Sequence, residues 1–148
     1  MKIFLFFTIF LVISCGEKRY EDNYFIDEVK GFSAQENNII NDLLTEMQIY
    51  NPELFSGSKP LLINKNNTAE FGSVEYREFF CEIKINPELT NIFLDELALK
   101  YLVLHQLGKC FRLPLSENQE DIMYFKFNSF LVPQIPDKIP EFSKKLGN

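Results

Sequence analysis

Two stretches of the chain carry apolar side chains at helical spacing. The first follows Ser33, and its apolar positions recur every three or four residues at Ile39, Ile40, Leu43, Leu44 and Met47. Ser33 and Glu36 have the spacing of a capping box, in which the two side chains accept hydrogen bonds from free amides of the first turn. Asn51 followed by Pro52 predicts the end of this helix.

The second stretch predicts a helix that starts near Thr90 or Asn91 and continues to about Lys109. Within residues 97–104 only Lys100 is charged, so most of the helix surface is apolar. A helix of this kind belongs in the interior of a domain. Its repeating positions are Leu94, Leu97, Ala98, Tyr101, Leu102 and His105.

Shorter apolar segments between the two helices predict strands over residues 61–63 and 74–85. Residues 81–85 alternate apolar and charged side chains, as a half-buried strand does, and the Asn-Pro pair at 86–87 closes it. The pairs Asn66-Asn67 and Gly72-Ser73 predict turns.

A loop over residues 113–121 and a tail punctuated by proline follow the second helix. The prolines of the tail are Pro133, Pro136 and Pro140. The order of elements predicts an α+β domain, with a small mixed sheet and two main helices of which the second is buried.

The first fifteen residues are typical of an exported bacterial lipoprotein. Lys2 precedes the apolar run 3–13, which has the length of a signal-peptide core and is too short to span a bilayer. Ser14-Cys15 then resembles a lipobox, in which a small residue precedes the cysteine that becomes lipidated. We expect a signal peptide over 1–15 and a lipid on Cys15; an uncleaved N-terminal anchor is the alternative.

The mature chain, residues 16–148, has the size of one domain. Residues 16–30 predict a polar tether, and residues 31–148 predict a single domain. Without Lys2 the chain keeps 14 basic and 21 acidic side chains, so its net charge is −7, and nucleic acid is not an expected partner. Gly16 after Cys15 resembles the pattern of outer-membrane sorting. We therefore expect a cell-envelope location, at the outer membrane if the host has two membranes.

The two cysteines of the mature domain, Cys81 and Cys110, would meet an oxidising compartment after export. A disulfide between them is permitted there. Two unrelated thiols are the simpler interpretation, and pairing is the alternative.

Residues 101–124, YLVLHQLGKCFRLPLSENQEDIMY, resemble the signature of the metzincin zinc metallopeptidases. In that signature a buried helix carries H-E-x-x-H. The chain then turns at a glycine and supplies a third histidine, and a Met-containing turn lies beneath the zinc site. Two histidines four residues apart on a helix share one face and can hold one metal ion.

The match is strongest outside the ligand positions. Leu107 and Gly108 reproduce a common Leu-Gly pair, and residues 121–124 resemble the Met-turn with Met123 in place. Residues 83–87 resemble the strand that leads into the metal-binding helix. If the resemblance holds, the segment 113–124 folds back beneath the helix.

The zinc ligands are mostly replaced. His105 matches the first histidine, but Gln106 stands at the catalytic glutamate and Lys109 at the second histidine. Arg112 replaces the turn glycine, and Leu115 replaces the third histidine. Zinc in this class needs three protein ligands, and glutamine cannot accept a proton at neutral pH. We expect neither a bound zinc nor peptide hydrolysis.

Together with the lipobox, the resemblance therefore implies a lipid-anchored pseudopeptidase with a binding or structural role in the cell envelope. For the binding role we expect a peptide or protein ligand, for example by strand addition beside the old cleft. The alternatives are an active zinc peptidase with atypical ligands around His105, or a small lipoprotein unrelated to peptidases. We predict that His105 is a core histidine, that Lys109 projects to solvent or snorkels at the helix end, and that Met123 packs in the core. A further hypothesis is that His105, Lys109 and Arg112 hold an acidic group of a ligand.

Overall fold

The computed structural model describes residues 23–66, 71–86, 96–124 and 126–146. The predicted signal peptide, Cys15 and residues 16–22 lie outside these ranges, so the lipid anchor stays a prediction. The predicted start of the second helix at Thr90 or Asn91 also lies outside them. Within the described ranges, no helix has both the length and the apolar content that crossing a bilayer requires.

The described chain is an α+β domain, as predicted. It forms strands β1 to β4, three α-helices and a short 3₁₀ helix, Val132–Gln134, before the last of them. Their bounds are Tyr24–Lys30 (β1), Ala34–Tyr50 (α1), Lys59–Lys65 (β2), Gly72–Arg77 (β3), Phe80–Ile85 (β4), Glu96–Cys110 (α2) and Ile135–Leu146 (α3).

The strands form one mixed sheet in the order β1-β2-β4-β3. β2 pairs in parallel with β1 and with β4, whereas β3 pairs with β4 in antiparallel orientation and lies at an edge. On β4 the side chains of Cys81, Ile83 and Ile85 are fully buried, and Glu82 and Lys84 alternate with them. This confirms the half-buried strand. The predicted turn at Gly72-Ser73 is wrong, because both residues belong to β3.

The predicted polar tether over 16–30 is wrong for β1. Tyr24 is buried, its hydroxyl donates to the Cys110 carbonyl at 3.4 Å, and its ring meets Phe111 edge-on with the centroids 5.2 Å apart. A shift of register between Ile26 and Glu28 interrupts the alternation of side chains along the strand. Because of this bulge, the strand does not show the alternation of apolar and polar residues by which strands are recognised in a sequence.

Helix α1 confirms its prediction in detail. Ser33 is the N-cap and forms both hydrogen bonds of the capping box with Glu36. The helix ends at Tyr50, where the Asn51 amide donates to the Met47 carbonyl at 3.0 Å. Its buried face is formed by Ile40, Leu43, Leu44 and Met47.

Helix α2 is buried along most of its length, as predicted, and a disulfide joins its last residue to the sheet. Cys110 pairs with Cys81 of β4, with 6.0 Å between the two Cα atoms. The interpretation as two unrelated thiols is therefore wrong, and the alternative of pairing is confirmed. The bond ties the end of α2 to the strand beside the edge strand β3.

The predicted proline-punctuated tail is wrong, because residues 135–146 form α3. Pro136 lies in the first helical turn, where a missing amide hydrogen costs nothing. Pro140 lies inside the helix and removes one internal hydrogen bond. One face of α3 is apolar and packs into the core, which offsets the lost hydrogen bond. The buried apolar residues of this face are Ile135, Ile139, Phe142 and Leu146.

Candidate functional site

The carboxyl end of α2 closes in a Schellman motif centred on Arg112. The Arg112 amide donates to the Lys109 carbonyl at 2.9 Å, and the Leu113 amide donates to the Gly108 carbonyl at 2.8 Å. Arg112 has a φ of 57°, the left-handed conformation that this motif requires. The turn that the resemblance assigns to a glycine is therefore made here by arginine.

We expect Arg112→Gly to be more stable than Arg112→Ala by about 1 kcal/mol, because only glycine adopts this backbone conformation without strain. Both variants lack the guanidinium group, so comparing them isolates the backbone. Urea unfolding of the two proteins measures the difference. Equal stabilities would show that residue 112 carries no conformational strain.

The segment 113–124 folds back against α2. The Ser116 amide donates to the Met123 carbonyl at 2.9 Å, and Asp121 Oδ1 accepts from the Met123 amide at 2.9 Å. His105 Nδ1 lies 2.7 Å from the Ile122 carbonyl oxygen. The segment thus lies beneath His105, which is the chain path that the resemblance requires.

Met123 packs against α2 at Gly108, in the core position that we predicted. Met123 is 3% exposed. A Cβ atom on residue 108 would lie 2.2 Å from Met123 Sδ and 3.1 Å from Phe142 Cζ. Residue 108 must therefore be glycine for the turn to approach the helix this closely.

The bond to Ile122 sets the tautomer of His105. Because a carbonyl only accepts, Nδ1 carries the proton and Nε2 keeps its lone pair. Burial lowers the pKa of His105, and the nearby Lys109 charge lowers it further, while the Ile122 carbonyl and Asp121 oppose these effects. The imidazole is therefore neutral at pH 7, which agrees with a core histidine bonded through Nδ1.

We expect the free energy of unfolding to fall as the pH is lowered through about 6.5, the ordinary histidine pKa. His105 has a lowered pKa in the folded protein, so the unfolded chain binds its proton first and is favoured by acid. The protein contains one histidine, so His105→Gln is a clean control. Urea unfolding at pH 7.5 and 5.5 should show a larger loss for the wild type; equal losses would contradict the assignment.

A cavity of about 160 Å³ lies between α2 and the start of β3, and we call it the α2–β3 cavity. The lining side chains with polar atoms are Tyr101, His105, Gln106 and Lys109, all on α2. Gln106 is 2% exposed, and its Oε1 atom has no hydrogen-bond partner among the described residues. Gly72 of β3 lies directly over this amide, since a Cβ there would be 2.9 Å from Gln106 Nε2.

The apolar wall of the cavity is aromatic. Phe71 and Phe127 stack with their ring centroids 4.7 Å apart, and Tyr101 lies 5.3 Å from Phe127. Sequence reasoning did not identify Phe71 or Phe127 as site residues. They lie far apart in the chain, and no pattern in the sequence links them.

The signature positions separate into two groups in space. His105, Gln106 and Lys109 line the α2–β3 cavity. Arg112 does not line it, and its guanidinium lies 5.9 Å from the centre of the Tyr76 ring. Leu115, at the position of the third histidine, is 56% exposed. Lys109 is half-buried in the last turn of α2, which agrees with snorkelling at the helix end and not with full exposure to solvent.

Comparison of this chain with protein-family models, curated proteins and solved structures found no match. The resemblance to metzincins therefore stays a prediction.

The residues at the signature positions do not fit zinc. His105 Nε2 is a suitable ligand atom, but Lys109 is a cation and Leu115 has no lone pair. The sulfur atoms of Cys81 and Cys110 are joined in a disulfide and cannot act as thiolate ligands. Across the described part of the chain, no three His, Cys, Asp or Glu side chains are grouped so as to hold a metal ion. That the protein has no metal cofactor stays a prediction.

Proposed function

We propose that this protein is a lipid-anchored pseudopeptidase of the cell envelope that binds an extended peptide along β3. The anchor rests on the lipobox-like residues around Cys15. The absence of hydrolysis rests on Gln106, whose amide cannot act as the general base for water. The binding role rests on the edge strand β3 and the cavity beside it.

The observation that carries the proposal is which residues of β3 direct their backbone N–H and C=O groups towards β4 and which direct them outward. The Asn86 amide donates to the Phe71 carbonyl at 3.2 Å, so these two residues form a hydrogen-bonded pair at the end of the β3–β4 ladder. Such pairs alternate in an antiparallel ladder, so Ser73 and Glu75 bond to β4. The backbone groups of Gly72 and Val74 therefore point away from β4.

An edge strand with outward backbone groups is a template for a further strand. Here the template runs beside α2, because Gly72 lies over Gln106 and the Tyr76 hydroxyl donates to the Lys109 carbonyl. A peptide paired to β3 would pass over the mouth of the α2–β3 cavity. Backbone pairing would supply affinity, and the cavity would supply selectivity.

We expect Val74→Pro to weaken peptide binding at least tenfold, because proline removes an outward amide while the bonds to β4 remain. The probe is a fluorescent heptapeptide of alternating threonine and valine, and the measurement is anisotropy with residues 16–148. Val74→Thr keeps the amide and the branched shape, so it should bind like the wild type.

A peptide series tests the same pairing without changing the protein. Methylating the backbone nitrogens of one alternate set should abolish binding, and methylating the other set should not. Absence of binding by the unmodified peptide, or equal effects of the two sets, would contradict strand addition.

A further inference from the structure

We propose that the α2–β3 cavity receives one side chain of the bound peptide and selects a primary carboxamide, the group carried by glutamine and asparagine. This inference rests on the peptide-binding function proposed above and names the ligand chemistry at the same site.

Gly72 places the cavity within reach of a paired peptide. Its backbone points away from β4, and it also lines the cavity over Gln106. Side chains of an added strand alternate between the two faces of the sheet. One set of peptide side chains would therefore point towards α2, and the member nearest Gly72 would enter the cavity.

Two acceptor atoms determine which side chain fits. Gln106 Oε1 is buried without a hydrogen-bond partner among the described residues, a state that is costly unless water or a ligand supplies a donor. His105 also lines the cavity, and its Nε2 is an acceptor because Nδ1–H is engaged by the Ile122 carbonyl. A ligand group with hydrogen-bond donors would therefore be complementary to these two acceptor atoms.

A primary carboxamide satisfies these atoms better than the other candidates. Its NH₂ group offers two donors, which match Gln106 Oε1 and His105 Nε2, and its oxygen can accept from the Lys109 ammonium. A carboxylate could accept from the Lys109 ammonium, but it has no donor for Gln106 Oε1 or His105 Nε2. A hydrocarbon side chain would leave Gln106 Oε1 without a partner.

The acid-binding hypothesis drawn from the sequence is therefore replaced. It required His105, Lys109 and Arg112 to converge, and Arg112 does not line the cavity. The aromatic wall also suits a flat, neutral group. Phe71 and Phe127, whose rings stack within 16° of parallel, contribute an apolar part of the cavity wall.

The test varies the central residue of the threonine–valine heptapeptide among glutamine, glutamate, methionine and alanine. The peptides end in a methylamide, so that the central side chain is the sole source of a primary carboxamide. At pH 7.5 we expect the glutamine peptide to bind at least tenfold more tightly than the glutamate and methionine peptides. The binding constants are measured by calorimetry with residues 16–148.

Two protein variants locate the source of this preference. Gln106→Leu removes the buried acceptor, and the ratio of glutamine to methionine affinity should fall to near one. Gln134→Leu changes an exposed glutamine outside the cavity and should leave the ratio unchanged. A preference that survives Gln106→Leu overturns the proposal.

The outcomes separate this inference from the function on which it rests. If no peptide binds, strand addition fails and the carboxamide proposal fails with it. If all four peptides bind equally and Val74→Pro abolishes binding, strand addition stands and the carboxamide proposal is overturned. A preference for glutamate also overturns it, in favour of an acidic ligand.

Discussion

Loss of the disulfide between Cys81 and Cys110 is expected to lower the free energy of unfolding by roughly 3.5 kcal/mol. The two cysteines are 29 residues apart in the sequence. Closing a loop of this length restricts the unfolded chain, and the loop-entropy relation gives a value of about this size at 25 °C. The effect is a large fraction of the stability of a small domain.

The measurement is urea unfolding of the oxidised protein and of the same protein reduced in urea and kept in thiol. Both samples have the same side chains, so the difference reports the bond alone. Reduction must take place in urea, because both cysteines are fully buried in the folded protein. A difference below about 1 kcal/mol would contradict an entropic contribution of the predicted size.

The same bond bears on the site. It holds the end of α2 against β4, and β4 pairs with the edge strand β3. The α2–β3 cavity lies between elements that this bond connects. Peptide affinity should therefore be lower in the reduced protein at a urea concentration where it is still folded.

Periodicity predicted the elements whose apolar spacing is regular. Helix α1 has a complete capping box and a regular apolar face, so both its first and its last residues were predicted closely. β4 alternates without interruption between buried and half-buried residues. α2 was predicted to be buried because its middle carries one charge, and the structure confirms this.

In each strand that was not predicted correctly, the local sequence pattern disagrees with the structure that the residues adopt. β1 contains a shift of register, so its apolar residues do not follow a period of two. The start of β3 contains Gly72, which is typical of a turn but here allows the strand to lie against Gln106. In both cases a contact distant in sequence decides the structure, and the local pattern does not contain that contact.

The candidate site was predictable in part for the same reason. His105, Gln106 and Lys109 share one helix, so their spacing alone indicates that they lie close together. Phe71 and Phe127 reach the cavity from the start of β3 and from the chain after the segment 113–124. Only the folded chain brings these two rings together.

The second large expected effect on stability concerns α3, which was not predicted because Pro136 and Pro140 are untypical of a helix. We expect Phe142→Ala to lower the free energy of unfolding by about 3–5 kcal/mol, because a buried aromatic side chain would be replaced by a cavity. Phe142 is 3% exposed and approaches Gly108 of α2. Removing its ring would therefore loosen the packing beneath the turn that carries Met123.

The chain offers a matched control for this substitution. Phe130 is 85% exposed, so Phe130→Ala removes the same atoms from a surface position and should change stability by no more than about 0.5 kcal/mol. Urea unfolding of both variants measures the contrast. If the two substitutions had equal effects, α3 would not be part of the core, and the interpretation of residues 135–146 as a loose tail would be restored. A large effect of Phe142→Ala alone would show that α3 belongs to the core, where Phe142 packs against α2 at Gly108.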